Sequence, residues 1–187
     1  MFLERGVEAT AVEAIAGRAG VSKATFYKHF ADKAVLFEAA MLREMERIEA
    51  AQIPPVDSKT PPNLQASLRQ FGIGLMNFMV SPPAVDFYKA LSAELARHKG
   101  LAQRFYDLGP GRTKANLAAL LRSAVQSGEL EIADPLAAAE QLIGLWQGIS
   151  NFQLALDIDS DDVRASIPQR VDAGLRVFFA TYELKRL

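Results

Sequence analysis

The chain has 187 residues, half of them hydrophobic, a formal net charge of −1 and no cysteine. The absence of cysteine excludes disulfides, thiolate metal sites and cysteine nucleophiles. Because the overall charge is close to zero, binding to nucleic acid or to a membrane surface has to come from a local patch. The N-terminal residues lack the pattern of a secretion signal, and no apolar run reaches the roughly 18 residues of a membrane span. These features predict a soluble, cytoplasmic protein of one domain, or a small module attached to a larger one.

Hydrophobic residues recur at three- and four-residue steps along most of the chain, for example from Leu64 to Met79 and from Val163 to Tyr182. This spacing is typical of amphipathic helices, and β-branched residues never form an alternating run. The sequence therefore predicts an all-α fold.

Four prolines within ten residues, from Ile53 to Pro62, divide the chain into two parts. Proline cannot continue a helix, so this stretch is interpreted as a semi-rigid connection. We expect a head over residues 1–50, a proline-rich connection over 51–62 and a helical bundle over 63–187. Further helix breaks are expected at 81–83, 109–111, 127–128 and 157–161.

The head contains two short helix patterns separated by a glycine. Thr10 followed by Glu13 predicts a capping box, so the first helix should begin one or two residues after Thr10. Gly20 should end this helix, because glycine adopts the left-handed conformation without strain. Ser22 is a favoured N-cap for a second short helix over Lys23–His29. Two short helices joined by a tight turn with glycine form the helix-turn-helix pattern.

The second short helix is expected to have a buried side and a polar side. Val21, Phe26 and Phe30 should face inward. The polar side displays lysine and tyrosine groups suited to phosphates, and small side chains that can approach base edges. Asp32 can cap the next helix. We expect DNA contacts from Lys23, Ala24, Thr25, Tyr27, Lys28, His29 and Lys33, the alternative being a helical hairpin with a solvated basic face.

The segment TAVEAIAGRAGVSKATFYKHFADKAVLFEAAM, from Thr10 to Met41, resembles the DNA-binding head of the TetR family of bacterial repressors. The likeness includes the FYKHF that closes the recognition helix and the KAVLF that opens the next helix. The resemblance implies that Thr25, Tyr27 and His29 contact bases or the DNA backbone, and that Lys33 contacts a phosphate.

The family pattern also has a longer first helix, which braces the other two helices of the head. Here only Met1 to Gly6 corresponds to it. Either residues are missing from this chain or the head is poorly braced, because so short a helix is marginal alone. A second class of function therefore stays open, namely a ligand-binding helical dimer that no longer binds DNA.

The tail resembles the AefR-like type of TetR C-terminal domain in FYKALSAE (87–94), LAQRFY (101–106), GPGR (109–112) and GEL (128–130). The resemblance implies a helical regulatory domain whose last two long helices pair with those of a second subunit, making a homodimer. We expect these helices over about 134–156 and 160–184, with Pro168 either kinking the last helix or marking its start. The expected interface residues are Leu142, Ile149, Val171, Leu175, Phe178 and Tyr182.

The resemblance also implies a ligand pocket inside the tail bundle. Pockets of this kind are mostly apolar, with few polar groups, so we expect a small apolar or amphipathic effector. The alternative for each aromatic residue is that it packs in the core and lines no pocket. The candidates are Phe71, Leu75, Met79, Phe87, Phe105, Trp146 and Phe152, with Asn77, Asn116, Gln147, Asn151 or Gln153 as polar anchors.

No arrangement of residues predicts an enzyme, a metal site or a cofactor. With two separate histidines and no cysteine, no nucleophile–base pair is evident. The aspartates near residue 160 lack the glycine and glutamate of a calcium loop. We therefore expect a ligand-responsive transcriptional regulator, a repressor released from double-stranded operator DNA by its effector, with activation as the less common alternative.

Overall fold

The computed structural model describes residues 1–2, 7, 9–52, 63–97, 99–156, 158 and 160–182. The expected all-α fold is confirmed, since the regular elements within these residues are helices. No helix in this part of the chain is both long and apolar enough to cross a membrane. The helices are α1 (Val12–Ala19), α2 (Lys23–His29), α3 (Lys33–Gln52), α4 (Leu64–Val80), α5 (Pro82–Arg97), α6 (Lys99–Leu108), α7 (Pro110–Gln126), α8 (Pro135–Gln147), α9 (Ser150–Ala155), α10 (Ser160–Ala165) and α11 (Ile167–Tyr182).

The helix-turn-helix consists of α1 and α2. Gly20 ends α1 with a left-handed φ of 67°, and the backbone N–H of Val21 then donates to the carbonyl of Ala16 at 3.0 Å. Ser22 Oγ accepts a hydrogen bond from the backbone N–H of Thr25 at 3.0 Å, which caps α2. Both the glycine stop and the serine cap predicted from the sequence are confirmed.

The capping box predicted from Thr10 and Glu13 does not form. The helix α1 begins at Val12, within the expected range, but its N-cap residue is Ala11, which makes no side-chain cap. The Thr10 side chain is buried, and the Glu13 carboxylate accepts a hydrogen bond from Lys23. The prediction was wrong because Glu13 has a partner on the next helix, which a local pattern does not reveal.

The long helix α3 connects the head to the tail. It begins after Asp32, whose Oδ1 accepts backbone hydrogen bonds from Ala34 and Val35 at 2.8 and 2.9 Å. It runs to Gln52, and residues 53–62 of the expected connection lie outside the described residues.

A hydrophobic cluster, here called the junction cluster, packs α3 against the tail. Phe2 extends this cluster, with its ring centroid 5.3 Å from that of Phe37. An ion pair between Arg104 of α6 and Glu38 of α3 joins the same two parts of the chain. The head and the tail are therefore in direct contact through α3, α5 and α6. The buried members of the cluster are Val7, Phe37, Met41, Met45, Phe87 and Leu91.

The tail core is organised around Trp146 of α8, which is 0 % exposed. A Cβ atom on Gly72 of α4 would lie 2.9 Å from the indole ring, and one on Gly174 of α11 would lie 2.7 Å from it. Glycine at these two positions therefore lets α4 and α11 approach the ring. Large aliphatic and aromatic residues complete this core, among them Leu68, Leu117, Leu121, Leu142, Val171, Leu175 and Phe178.

Two segments predicted as single long helices are each broken. Gly148, with φ 51° and ψ −127°, ends α8, and the chain resumes as α9. Pro168 is the second residue of α11, so it marks the start of a helix and does not kink one. Predicted breaks at Ser81, Gly109 and Ser127 also fall at helix ends.

Candidate nucleic-acid interface

Phe26 attaches α2 to the rest of the head. Its side chain is 5 % exposed, and its ring centroid lies 5.2 Å from that of Tyr27 and 5.8 Å from that of Phe30. The expected inward orientation is confirmed for Phe26, and Phe30 is half-buried. Val21 was also expected to face inward, but it is 41 % exposed because it lies in the turn between α1 and α2.

The other side chains of α2 form an exposed surface. Since the helix has seven residues, it is about 10 Å long and fits a major groove about 12 Å wide. Lys33, at the start of α3, is half-buried. The exposed residues are the six that the sequence predicts as DNA contacts on this helix, Lys23, Ala24, Thr25, Tyr27, Lys28 and His29.

The hydroxyl group of Thr25 lies 2.9 Å from that of Ser22, within hydrogen-bonding distance. Together with the cap from Ser22 to the Thr25 amide, this contact fixes the first turn of α2. A hydroxyl group has one donor and two acceptor positions, so Thr25 keeps capacity for a base edge or a phosphate.

An ion pair crosses the turn from α1 to α2. Lys23 Nζ lies 2.5 Å from Glu13 Oε1, and both side chains are more than half exposed. The hydrogen bond from Lys23 lowers the pKa of the Glu13 carboxyl, and the same bond raises the pKa of the Lys23 ammonium. Both groups are therefore charged at neutral pH, and their charges cancel at the first residue of α2.

Four of the predicted pocket residues meet in the tail core. Phe71, Leu75 and Met79 all belong to α4 and lie in or against the cluster around Trp146. The ring centroids of Phe71 and Trp146 are 6.4 Å apart. These four residues form the part of the predicted pocket that the fold brings together.

The other three predicted pocket residues lie elsewhere. Phe87 and Phe105 belong to the junction cluster, because the faces of α5 and α6 that carry them pack against α3. Phe152 is 74 % exposed on α9, which follows the break at Gly148. The prediction of an interior position was wrong for Phe152.

Among the proposed polar anchors, Gln147 is the one bonded within the tail core. Its Nε2 atom donates to the sulfur of Met79 at 3.0 Å, and its Oε1 atom accepts from Asn151 at 3.2 Å. Gln153 Oε1 is buried and has no hydrogen-bond partner within the described part of the chain. The remaining anchors were predicted wrongly as interior groups, since Asn77, Asn116 and Asn151 are exposed.

The predicted dimer residues divide into buried and accessible ones. Ile149 is 69 % exposed, and Tyr182 is half-buried, with its hydroxyl donating to Gln141 at 2.5 Å. The others are at most 2 % exposed within one subunit, where they pack in the tail core, although Phe178 also lines a groove between α8 and α11. They are Leu142, Val171, Leu175 and Phe178. Their part in a dimer contact stays a prediction.

Other apolar side chains of the same two helices face the solvent. Leu145 of α8 is 41 % exposed and Val177 of α11 is 52 % exposed. Both line a groove of about 410 Å³ between the helices. Hydrophobicity alone does not distinguish these two residues from their buried neighbours Leu142 and Leu175, which lie two or three residues away, so they were not predicted.

Both parts of the chain match known protein families. Residues 1–40 match the family described as bacterial regulatory proteins, tetR family, and residues 66–184 match the AefR-like transcriptional repressor, C-terminal domain. The chain belongs to the TetR family. The resemblance stated for both parts of the sequence is confirmed. TetR-family proteins are DNA-binding transcriptional regulators that act as dimers, and they are not enzymes.

Two bacterial regulators show a similar degree of likeness to this TetR-family chain. It is 26 % identical over 181 residues to the HTH-type transcriptional regulator YerO of Bacillus subtilis, covering 92 % of this chain and 60 % of the relative. It is 24 % identical to the HTH-type transcriptional regulator SrpR of Pseudomonas putida, covering 89 % of this chain and 74 % of the relative. The chain thus spans less than two thirds of the length of YerO.

Solved TetR-family structures share the whole fold. The flavonoid-responsive regulator FrrA is 32 % identical, with a TM-score of 0.85, and the match covers 99 % of this chain and 92 % of FrrA. A TetR-family regulator from Mesorhizobium loti is 26 % identical, with a TM-score of 0.78, covering 98 % of this chain and 91 % of the other. This chain therefore has the same architecture as those proteins, a helix-turn-helix head joined to a helical bundle.

Proposed function

We propose that this protein is a homodimeric repressor that binds a palindromic operator and is released from it by a small molecule. The observation that carries the proposal is the exposed polar surface of α2, held in place by the buried ring of Phe26. Such a repressor acts in the cytoplasm, where the chromosome lies.

In the proposed complex, α2 of each subunit enters a major groove. The N-terminal residues of a recognition helix reach base edges, which assigns Ala24 and Thr25 to base contacts. Tyr27, Lys28 and His29 follow them and contact phosphates or bases. Two heads one DNA turn apart, about 34–36 Å, would read two half-sites related by symmetry.

We assign the dimer contact to α8 and α11. The accessible apolar side chains Leu145 and Val177 line the groove between these helices, and Ile149 is exposed just beyond α8. Soluble monomers rarely expose large contiguous apolar patches, so a second subunit is the natural occupant of this surface. The assignment replaces the buried residues expected from the sequence with their exposed neighbours.

We assign effector binding to the tail core around Phe71 and Trp146. The contact between Gln147 and the Met79 sulfur is a weak hydrogen bond, so Gln147 can exchange it for a polar group of a ligand. FrrA, whose fold this chain shares, is named as flavonoid-responsive, which makes a planar phenolic compound the first effector class to test.

Release from DNA requires that the effector favour a dimer whose heads are wrongly spaced for the operator. A ligand shifts such a balance only by its differential affinity for the two states. The junction cluster provides the mechanical connection, because α3 of the head packs on α5 of the tail through Met41, Met45 and Phe87.

The test is a fluorescence-anisotropy titration of His29→Ala and Lys33→Ala against a duplex that the wild-type protein selects from a randomised library. Each variant is expected to bind this duplex at least 5-fold more weakly, the loss of a contact worth about 1 kcal/mol or more, without a change in dimerisation. Arg122→Ala, which removes a positive charge from the exposed face of α7, is the matched control and should bind like the wild type. Unchanged binding of both head variants would contradict the assigned contacts.

Effector binding is measured independently through Trp146, the single tryptophan of the chain. Quercetin, a planar phenolic probe, is expected to quench its fluorescence saturably and to release the selected duplex over the same concentration range. N-acetyltryptophanamide serves as the control for light absorption by the probe. Quenching equal to that of this control, with no release of DNA, would exclude this effector class.

A further inference from the structure

The ion pair between Glu13 and Lys23 differs from the other ion pairs described for the head. The pair between Arg47 and Glu44 lies within one helix, and that between Arg104 and Glu38 joins the head to the tail. Only the Glu13–Lys23 pair, among those of the described residues, joins the two helices of the helix-turn-helix. It is therefore placed to act on the recognition helix itself.

Lys23 is the first residue of α2. The N-terminal residues of a recognition helix approach base edges in the major groove, and lysine is a good donor to guanine O6 and N7. A lysine side chain has many rotamers, and ordering it on DNA costs conformational entropy. Its bond to Glu13 at 2.5 Å restricts those rotamers before DNA arrives.

The same carboxylate opposes contact with phosphates. Phosphate contacts are independent of sequence and supply most of the affinity for unrelated DNA. With its charge cancelled by Glu13, Lys23 attracts a phosphate weakly. If Lys23 leaves Glu13 to reach a phosphate, it exposes a negative charge close to the DNA backbone, which is repulsive.

On the basis of the proposed function, we propose that Glu13 is a positioning residue that determines specificity. It directs Lys23 towards a base edge of the operator and lowers the affinity of the head for all other DNA.

The test compares Glu13→Gln with the wild type on two probes, the duplex selected by the wild type from a randomised library and a scrambled duplex of equal length. Affinity for the scrambled duplex is expected to rise about 3- to 10-fold, with the slope of log K against log salt steeper by about one, because one more cation reaches a phosphate. The ratio of specific to non-specific affinity should fall by a similar factor.

Two controls separate this role from a structural one. In a Lys23→Met background, Glu13→Gln is expected to leave the specificity ratio unchanged, because Glu13 acts through Lys23. Glu140→Gln removes the exposed ion pair with Lys114 in the tail, and it should behave as the wild type on both probes. The urea midpoint of Glu13→Gln should match that of the wild type, since exposed pairs contribute little to stability.

The outcomes distinguish the two proposals. If the wild type selects a sequence but Glu13→Gln leaves both the ratio and the salt slope unchanged, the role of Glu13 is refuted while the repressor stands. An equal loss of affinity for both duplexes also refutes it, because that is the result of a distorted head. If the wild type selects no sequence, the proposed function fails and this inference fails with it.

Discussion

At the scale of single residues, Trp146 illustrates what the sequence can and cannot predict. Its hydrophobicity predicts burial, and the structure confirms that the ring is fully enclosed. Its immediate neighbours Gly72 and Gly174 lie far from it in the sequence. Glycine is favoured at both positions because the ring leaves no room there for a side chain. A glycine that leaves room for a ring on another helix has no local signature, so this contact could not be predicted.

Substitution of Gly174 by alanine is expected to destabilise the protein by about 1–3 kcal/mol, because the new Cβ would overlap the Trp146 ring in a packed core. The matched control is Gly100→Ala, also in a tail helix, where a Cβ meets no atom within 4 Å. The control should be neutral or slightly stabilising, since alanine favours the helix. Urea denaturation at one protein concentration measures both variants, and equal stabilities would contradict this account of the core.

Phe26 is buried and its neighbour Tyr27 is exposed. Substitutions at these two positions therefore distinguish folding of the head from DNA binding. Phe26→Ala removes a buried ring and is expected to cost about 3–5 kcal/mol, which abolishes DNA binding by unfolding the head. Tyr27→Ala is expected to cost about 1 kcal/mol or less and to weaken DNA binding with the head still folded. Circular dichroism and anisotropy on the same samples test this, and a folded head in Phe26→Ala would argue against the anchoring role.

At the scale of helices, most ends were predictable because capping depends on neighbouring residues. Ser22 and Asp32 cap the helices that follow them, and Gly20 ends α1 as expected. The capping box was predicted wrongly, because the Glu13 carboxylate accepts a hydrogen bond from Lys23, ten residues away. The break at Gly148 was missed because a glycine inside a helical pattern is often tolerated and the surrounding residues favour helix.

Asp134 provides the test at this scale. Its Oδ1 atom accepts backbone hydrogen bonds from Leu136 and Ala137 at 2.9 and 3.1 Å and so caps α8. Asp134→Ala is expected to lower the free energy of unfolding by about 1 kcal/mol, while Asp134→Asn, which keeps the acceptor, should lose much less. Thermal denaturation distinguishes the two, and equal losses would mean that the cap contributes through charge and not through its hydrogen bonds.

At the scale of the whole molecule, the two-part organisation was predictable, but the contact between the parts was not. The proline-rich stretch and the change of pattern after it indicate a head and a tail. The junction cluster joins Met41 and Met45 to Phe87, residues that are about 40 positions apart in the chain. Phe87 was expected in a ligand pocket because its residue type suits a pocket and a junction equally well.

The dimer proposed here predicts the effect of a charge in the groove between α8 and α11. Val177→Glu is expected to dissociate the dimer and to abolish operator binding, because a carboxylate would be buried without a partner. Tyr88→Glu, at an exposed aromatic residue of α5, is the matched control and should stay dimeric. Sedimentation velocity measures both, and a dimeric Val177→Glu variant would place the interface elsewhere.

Every step of the proposed function depends on sequence-specific binding of DNA by α2. The most direct measurement is an anisotropy titration of the wild-type dimer against its selected duplex and against a scrambled duplex, at several salt concentrations. We expect tight binding to the selected duplex that weakens steeply with salt, and binding to the scrambled duplex that is at least about a thousandfold weaker. A folded dimer with equal affinity for both duplexes, or with none for either, would contradict it.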